Sequence, residues 1–592
     1  MPTLSLPLHY RIRPVNPFAH RFEITCTVVE PNLGGQRFAL PAWIPGSYMI
    51  RDFARHILTI RAEVGGRPVR LEKIDKHTWQ AAPLKEGSIL SVAYEVYAWD
   101  LSVRAAHLDQ THGFFNGSSV FLRVIDQEDL PCLVDILAPQ GQEFKGWRVA
   151  TSLEPAHGER GCAKPHGFGL YRAGNYDELI DHPVEMGTFA LATFEACGAS
   201  HEIAVTGRHD CDMKRLAVDL KRICEWQIRL FGEPAPMSRY VFLVTAVGDG
   251  YGGLEHRSST ALLCSRNDLP HPGMTGLPES YRAFLGLCSH EYFHTWNVKR
   301  IKPVDFIPYD LDRENYTTQL WAFEGITSYY DDLALLRSGV IALPDWLEQV
   351  AKTISSVYRT PGRLCQSLAE SSFDAWIKFY RPDENTPNSV VNYYSKGALV
   401  ALALDLMLRH KTKGKVTLDN VIREIWRRFG QTGTGLGEDD IRKIAEELSG
   451  IDLKRFFAQA VHGTADLPLK ELLVPFGILL EWEAMKTPSL GIKTQTDGKD
   501  LRIIHVYDEG PAQRAGIGAG DILLAINGLR VTPLSMDRQL SRFRPGEKIS
   551  IHAFRRDELM IFSVRLDPPQ VETVKLIAKK TPNALRESWL GC

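Results

Sequence analysis

Residues 290–294 read His-Glu-Tyr-Phe-His. In an α-helix the two histidines stand one turn apart on one face, where both imidazoles can reach a single metal ion. Glu291 lies one step round the helix, placed to take a proton from a water that such a metal acidifies. A catalytic zinc also needs a third protein ligand and an open position. Glu324, in Trp321-Ala322-Phe323-Glu324-Gly325-Ile326-Thr327-Ser328-Tyr329-Tyr330, fits that need. A carboxylate set among Trp, Phe, Ile and Tyr is costly to bury unless it is paired or bound to a cation. Asp310, Asp312 and Glu314 are rivals, but they sit in a polar loop where a solvated charge is the ordinary state. Ser328 and Asp331 share a helix face with Glu324 and either steady it or simply face solvent.

A centre of this kind has to be held by a sizeable fold. At 592 residues the chain exceeds the usual limit of one core, so three or four domains are expected. Hydrophobic content of 44% and charged content of 24% are those of an ordinary soluble globular protein. The net charge of −2, with no block of like charges, argues against a nucleic-acid or anionic-membrane surface. The stretch Met1-Pro2-Thr3-Leu4-Ser5-Leu6-Pro7-Leu8 lacks the basic and apolar regions of a secretory signal. No window is apolar enough to span a bilayer. The ten cysteines are scattered singly, without a Cys-x-x-Cys pair, which suits reduced thiols and a cytoplasmic location.

Texture changes three times along the chain. Residues 1–175 show short alternating apolar runs, as at 22–29, 90–96 and 120–124, and read as a β-sandwich-like domain. Residues 176–475 form the domain that carries the metal motif, mostly helical after 280. Its helical periodicity lies at 216–231, 281–300, 318–337, 399–409 and 418–429, with a strand at 240–247. A small β-rich unit follows at 485–568, and 569–592 is a C-terminal tail.

The motifs together resemble the glycyl aminopeptidase family of zinc metallopeptidases, relatives of aminopeptidase N and the leukotriene hydrolases. The matching pieces are His290-Glu291-Tyr292-Phe293-His294-Thr295-Trp296-Asn297-Val298-Lys299-Arg300, Phe323-Glu324-Gly325-Ile326-Thr327-Ser328-Tyr329-Tyr330 and Gly252-Gly253-Leu254-Glu255-His256. Tyr394-Ser395-Lys396-Gly397 and Trp43-Ile44-Pro45-Gly46-Ser47-Tyr48 complete the set. The resemblance implies a thermolysin-like α+β catalytic domain with a helical C-terminal part. It also implies one zinc per chain, held by His290, His294 and Glu324, with Glu291 as general base. Tyr394 is then the oxyanion donor; without the Lys396-Gly397 register, Tyr393 would be an equal choice. Glu255 takes the position that grips a substrate's α-ammonium, while Gly252 and Gly253 let backbone run close to an extended peptide. From residues alone the glycine pair reads as a plain turn. A preference for small N-terminal residues such as Gly or Ala is implied too. The gap from His294 to Glu324 is longer than in aminopeptidase N, so details of that enzyme's specificity pocket do not carry over.

The unit at 485–568 resembles a PDZ domain, through Ser489-Leu490-Gly491-Ile492, Gly510-Pro511-Ala512-Gln513-Arg514-Ala515-Gly516-Ile517 and Gly520-Asp521-Ile522-Leu523-Leu524-Ala525-Ile526-Asn527-Gly528. Leu490, Gly491 and Ile492 form the loop expected to hold a peptide's C-terminal carboxylate. Apolar alternation on either side of Arg556-Asp557 predicts a closing hairpin. The expected activity is removal of N-terminal residues from peptides. Two alternatives remain: a zinc endopeptidase, in which Glu255 is only structural, and a PDZ-based adaptor with a relic peptidase site.

Overall fold

A computed structural model describes residues 7–484, 487–569 and 571–591. Most of the N-terminal stretch examined for a secretory signal (residues 1–6) lies outside these, as do 485–486 at the start of the C-terminal unit, and 570 and 592 in its tail. The chain forms two compact units. The first runs to Asn315 and takes in Ser338–Val340 and Trp426–Leu436; the second comprises Tyr316–Arg337, Ile341–Ile425 and the chain from Gly437 onward.

The first unit opens with an eight-stranded sheet and two four-stranded sheets. Alternate residues of Leu8–Asn16, Arg21–Val28 and Leu90–Tyr97 are buried, as period-2 patterning requires. The strand expected at 120–124 is instead a helical turn, Gly117–Val120, followed by the short strand Arg123–Val124. Buried tyrosines explain the difference. The hydroxyls of Tyr94, Tyr176 and Tyr10 donate to the carbonyls of Val120, Phe121 and Leu122 at 2.7, 2.7 and 2.9 Å. Those carbonyls therefore need no strand partner.

The same unit continues into a five-stranded sheet built from β1 (Phe189–Ala196), β2 (Ala199–Thr206), β3 (Arg239–Val247), β4 (Tyr251–Glu255) and β5 (Ser259–Ser265). Its order is β1-β2-β3-β5-β4, with β2, β3 and β5 parallel and an antiparallel strand at each edge. Helix α1 (Met213–Phe231) is capped by Asp212, whose side chain accepts from the Arg215 N–H. Helix α2 (Glu279–Phe293) carries the metal motif and is shorter than the expected 281–300. His294 is its C-cap, and tight turns follow, in which the His294 and Trp296 carbonyls accept from Lys299 and Ile301.

The second unit is mainly helical up to residue 476. A π-helical turn, Trp321–Gly325, opens α3 (Ile326–Arg337), and α4 (Leu343–Arg359) and α5 (Tyr393–Thr412) follow. Its C-terminal sheet holds β6 (Ile492–Asp497), β7 (Asp500–Val506), β8 (Ile522–Ile526), β9 (Lys548–Arg555) and β10 (Glu558–Arg565) in that order, beside α6 (Met536–Leu540). Leu501, Ile503, Leu523, Ile549, Ile551 and Val564 fill its core. The β9–β10 hairpin turns at Arg556-Asp557, both at positive φ (50° and 66°), the signature of a two-residue primed turn. Among the described residues no helix is long and apolar enough to cross a membrane.

Candidate active site

Helix α2 is apolar nearly all round and correspondingly buried, with Tyr281, Phe284, Leu285, Cys288, Tyr292 and Phe293 inside. Polar ties fix its rotation. Gln227 of α1 donates to the carbonyl and hydroxyl of Ser289 at 2.9 Å each, and the Tyr281 hydroxyl donates to Asp219 at 2.8 Å. Tyr292, inside the motif, packs on Tyr240, Phe242 and Trp296, and its hydroxyl lies 2.9 Å from the buried His201. Helical geometry then puts His290, Glu291 and His294 on another face. The two motif imidazoles lie 4.7 Å apart between centroids and cross at 85°. His294 Nδ1 sits 2.6 Å from the Asn297 carbonyl, which can only accept, so that nitrogen carries the proton.

Gly252 and Gly253 belong to the edge strand β4, not to a turn. A Cβ on Gly253 would stand 2.0 Å from Glu291 Oε1 and 2.5 Å from its Cδ, so the bare backbone of Gly253 is the seat of the Glu291 carboxylate. A Cβ on Gly252 would meet only Arg104 Nη1, at 3.7 Å. Farther along β4, Glu255 is 4% exposed, and its Oε1 is buried with no hydrogen-bond partner. Its Oε2 faces Gly46, whose φ is +99° and whose Cβ, if present, would lie 2.6 Å from that oxygen. The segment Trp43-Ile44-Pro45-Gly46-Ser47-Tyr48 thus walls one side of the carboxylate. Glu255, Glu291 and His294 bring ligand-type atoms within 4.8 Å of one another. A buried, unsatisfied carboxylate oxygen is unfavourable alone and suits a site that receives a cation.

Behind the motif lies an ion cluster that the sequence reading missed. Lys299 Nζ is 2.6 Å from Asp181, the Arg257 N–H donates to it at 3.0 Å, and His256 Nδ1 lies 3.3 Å away. Burial alone would raise the Asp181 carboxyl, but the charges of Lys299 and Arg257 outweigh it and hold the pKa well below the usual range. Arg300 donates to the carbonyls of Thr295, Arg257 and Pro236 at 2.8, 2.9 and 3.2 Å, closing the turn after α2. Lys and Arg within an otherwise apolar Trp-Asn-Val-Lys-Arg-Ile run were the available signal. Of the rival ligands, Asp310 pairs with Arg313 and Asp312 with Arg123, each at 2.6 Å.

In the second unit Glu324 lies within the π-helical turn and is 2% exposed. Such turns recur at functional sites. Gly325 explains how the turn is held: a Cβ there would fall 2.5 Å from Gly397 Cα, and one on Gly397 would fall 2.7 Å from the Trp321 carbonyl oxygen. The glycines of Phe-Glu-Gly and Tyr-Ser-Lys-Gly therefore pack backbone to backbone. At the start of α5 the Asn392 side chain accepts from the N–H groups of Tyr394 and Ser395, at 2.9 and 3.1 Å. Tyr394 Oη lies 3.1 Å from Tyr380 Oη, a partner not picked out in the sequence. Burial, followed by the Glu324 charge, pushes the Tyr394 pKa well above 10, which keeps its hydroxyl a donor. Tyr393 is fully buried and packs on Phe379. Lys396 is buried as well and donates to the Arg363 carbonyl at 3.2 Å.

At the C-terminal sheet Gly491 has φ +69°, a conformation that suits glycine. Its N–H donates to Ser489 Oγ at 3.0 Å, so one of the groups expected to meet a carboxylate is already bonded within the loop. The carbonyls of Leu490 and Gly491 accept from Ala512 and Tyr507, and Ile492 opens the edge strand β6. A groove of about 340 Å³ runs beside the loop, lined by Ile492, Met536 and Leu540 and, from α4, Ser356 and Arg359.

Three family models match the chain: the Peptidase M61 N-terminal domain over residues 9–188, the M61 glycyl aminopeptidase over 283–400, and a PDZ domain over 488–566. A crystal structure of an aminopeptidase N family protein from Idiomarina loihiensis is 42% identical. It superposes with a TM-score of 0.94, covering 98% of this chain and 100% of that one. An M1 zinc metallopeptidase from Deinococcus radiodurans shows 14% identity and a TM-score of 0.49, covering 79% of this chain and 97% of that chain. A probable periplasmic serine endoprotease, DegP-like, of Brucella suis biovar 1 is 40% identical over 71 residues, which is 12% of this chain. The chain spans only 13% of the length of the curated relatives it matches. With both M61 models matched in order and a 42% identical structure spanning the whole fold, the chain belongs to the M61 glycyl aminopeptidase family of metallopeptidases.

Proposed function

We propose that the protein is a zinc aminopeptidase that removes N-terminal residues, preferentially small ones such as Gly and Ala, from peptides. Its zinc ligands in this reading are His290, His294 and Glu324. Two imidazoles one helical turn apart and one buried carboxylate are the donor set of a catalytic zinc site. Zinc bound there supplies Lewis acidity, polarising a carbonyl and acidifying water. Glu291, seated against Gly253, accepts the proton of the attacking water and hands it to the departing amine. The neutral Tyr394 hydroxyl donates to the oxyanion that develops on the scissile carbonyl. A peptide laid along the edge strand β4 has its backbone groups met by those of Tyr251–Glu255.

The observation that carries the exopeptidase reading is the carboxylate of Glu255. Oε1 is buried and unpartnered, and Gly46 walls the whole carboxylate, its Cβ position falling 2.6 Å from Oε2 and 2.7 Å from Oε1, so the site favours a cation and leaves little space for an acyl group on that side. The PDZ unit, in the same reading, holds the C-terminal end of a peptide at Leu490, Gly491 and Ile492. A cytoplasmic setting is in keeping with the nine described cysteines, all of which are free. The deciding experiment compares glycyl and alanyl reporter peptides with their N-acetylated forms. Acetylated substrates should be poor, and Glu255→Ala should cost free-amine substrates about 2–5 kcal/mol in kcat/KM, the range for truncating one partner of a buried charge pair. Equal turnover of blocked and free peptides would establish an endopeptidase instead.

A further inference from the structure

A second set of metal-ligating side chains sits on a hairpin in the N-terminal domain. The strands Ala106–Leu108 and His112–Phe115 carry His107-x-Asp109-x-x-His112. Strand register pairs His107 with Phe114, and Phe114 in turn with Glu185 on the neighbouring strand Val184–Gly187. Because side chains alternate with period 2, His107, His112 and Glu185 share one face of that sheet. The two imidazoles lie 5.0 Å apart between centroids, close to the 4.7 Å of His290 and His294. Ligand atoms of His107, Asp109 and His112 all fall within 4.8 Å of one another.

The hydrogen bonds leave nitrogen lone pairs to spare. His112 Nδ1 is 3.0 Å from Glu185 Oε1, an arrangement in which a carboxylate fixes the imidazole tautomer and Nε2 is left for a metal. The Asn297 carbonyl likewise fixes the tautomer of His294. His107 is 5% exposed; its Nε2 lies 3.3 Å from Asp109, and its Nδ1 is buried with no hydrogen-bond partner. Asp109 is held in place by Thr111, whose N–H and hydroxyl each donate to Oδ1 at 2.6 Å. A cavity of about 10 Å³, lined in part by both histidines, adjoins the cluster and has room for little more than one water or ion.

We propose that His107, Asp109 and His112 bind one divalent transition-metal ion of zinc's class, with Glu185 orienting His112. Two imidazoles and one carboxylate favour zinc over calcium or magnesium, which prefer all-oxygen shells. The ion has a structural task. The loop leading into the hairpin carries Arg104, which donates to the Gly253 carbonyl at 3.5 Å, so a metal-stapled hairpin steadies an arm on the edge strand β4.

The test is zinc stoichiometry in the full chain, by elemental analysis and by calorimetric titration after chelator treatment. Wild type should bind two equivalents. His290→Ala/His294→Ala protein should keep one, and its melting temperature should rise on adding zinc. The single variants His107→Gln and Asp109→Asn, made in the wild-type background, should each lower the stoichiometry from two to one while peptidase turnover persists. One equivalent in wild type would overturn the proposal. So would a second equivalent that survives both His107→Gln and Asp109→Asn.

Discussion

Replacing Gly253 with alanine adds one methyl group at the point where β4 touches Glu291. The new carbon would stand 2.0 Å from Oε1, 2.5 Å from Cδ and 2.7 Å from Cγ, whereas ordinary contact begins at 3.4 Å. Strand or carboxylate must therefore give way by about 1.4 Å, and Glu291 sits on a helix buried on nearly every side. A general base works within roughly 2.6–3.2 Å of its proton and contributes about 10²–10⁴-fold. A displacement of about 1 Å elsewhere costs on the order of 10²-fold. Gly253→Ala should thus lower kcat by about 10²–10⁴-fold, close to 3–5 kcal/mol of barrier, with zinc content unchanged. The control is Gly252→Ala, whose methyl would meet only Arg104 Nη1 at the comfortable distance of 3.7 Å; turnover should stay within a few-fold of wild type. Steady-state kinetics on an aminoacyl reporter, with metal analysis of each variant, decides the matter. Should Gly253→Ala turn over at the wild-type rate while Glu291→Gln is inert, the tight seat has no part in placing the base.

Further outcomes follow from the same geometry. Tyr394→Phe should lower kcat about 10²–10³-fold at nearly constant KM, as expected for loss of one oxyanion donor. Gly397→Ala forces a methyl to 2.7 Å from the Trp321 carbonyl oxygen, so overpacking should cost about 1–3 kcal/mol, read as a lowered urea midpoint, together with a loss of kcat as the Glu324 turn shifts. Lys299→Met removes the nearest charge partner of the buried Asp181, leaving Arg257 and His256, and should destabilise the fold by at most about 3–5 kcal/mol at pH 7. The sign of the pH effect is fixed by a folded-state pKa below the ordinary 3.8: Asp181 contributes stability above that pH and loses it as the pH falls further. The wild-type advantage over Lys299→Met should accordingly hold from pH 7 down to about pH 4 and shrink only as the pH falls below 3.8 in chemical denaturation, and an advantage that stays constant below that pH would sink the assignment.

The residues proposed to do the chemistry were legible because their signals are local. Two histidines one turn apart, a carboxylate embedded in apolar sequence and a tyrosine in register with Lys-Gly can each be recognised within a dozen residues. What holds them is not local. Nothing near Gly46 indicates that it abuts Glu255, and nothing near Gly325 indicates that its partner is Gly397, because those contacts join segments far apart in the chain. The same limit explains the misread elements. Apolar periodicity continues past His294, yet α2 stops at Phe293 because the next carbonyls are taken up by tight turns and by Arg300. Apolar alternation at 120–124 resembled a strand, but three distant tyrosines had already satisfied its carbonyls. A glycine inside a motif reads from sequence as freedom of the backbone. At Gly253, Gly325 and Gly397 the φ angles are ordinary, and what the fold requires there is the absence of a side chain, so that backbone itself can press on the Glu291 carboxylate or on the turn that carries Glu324.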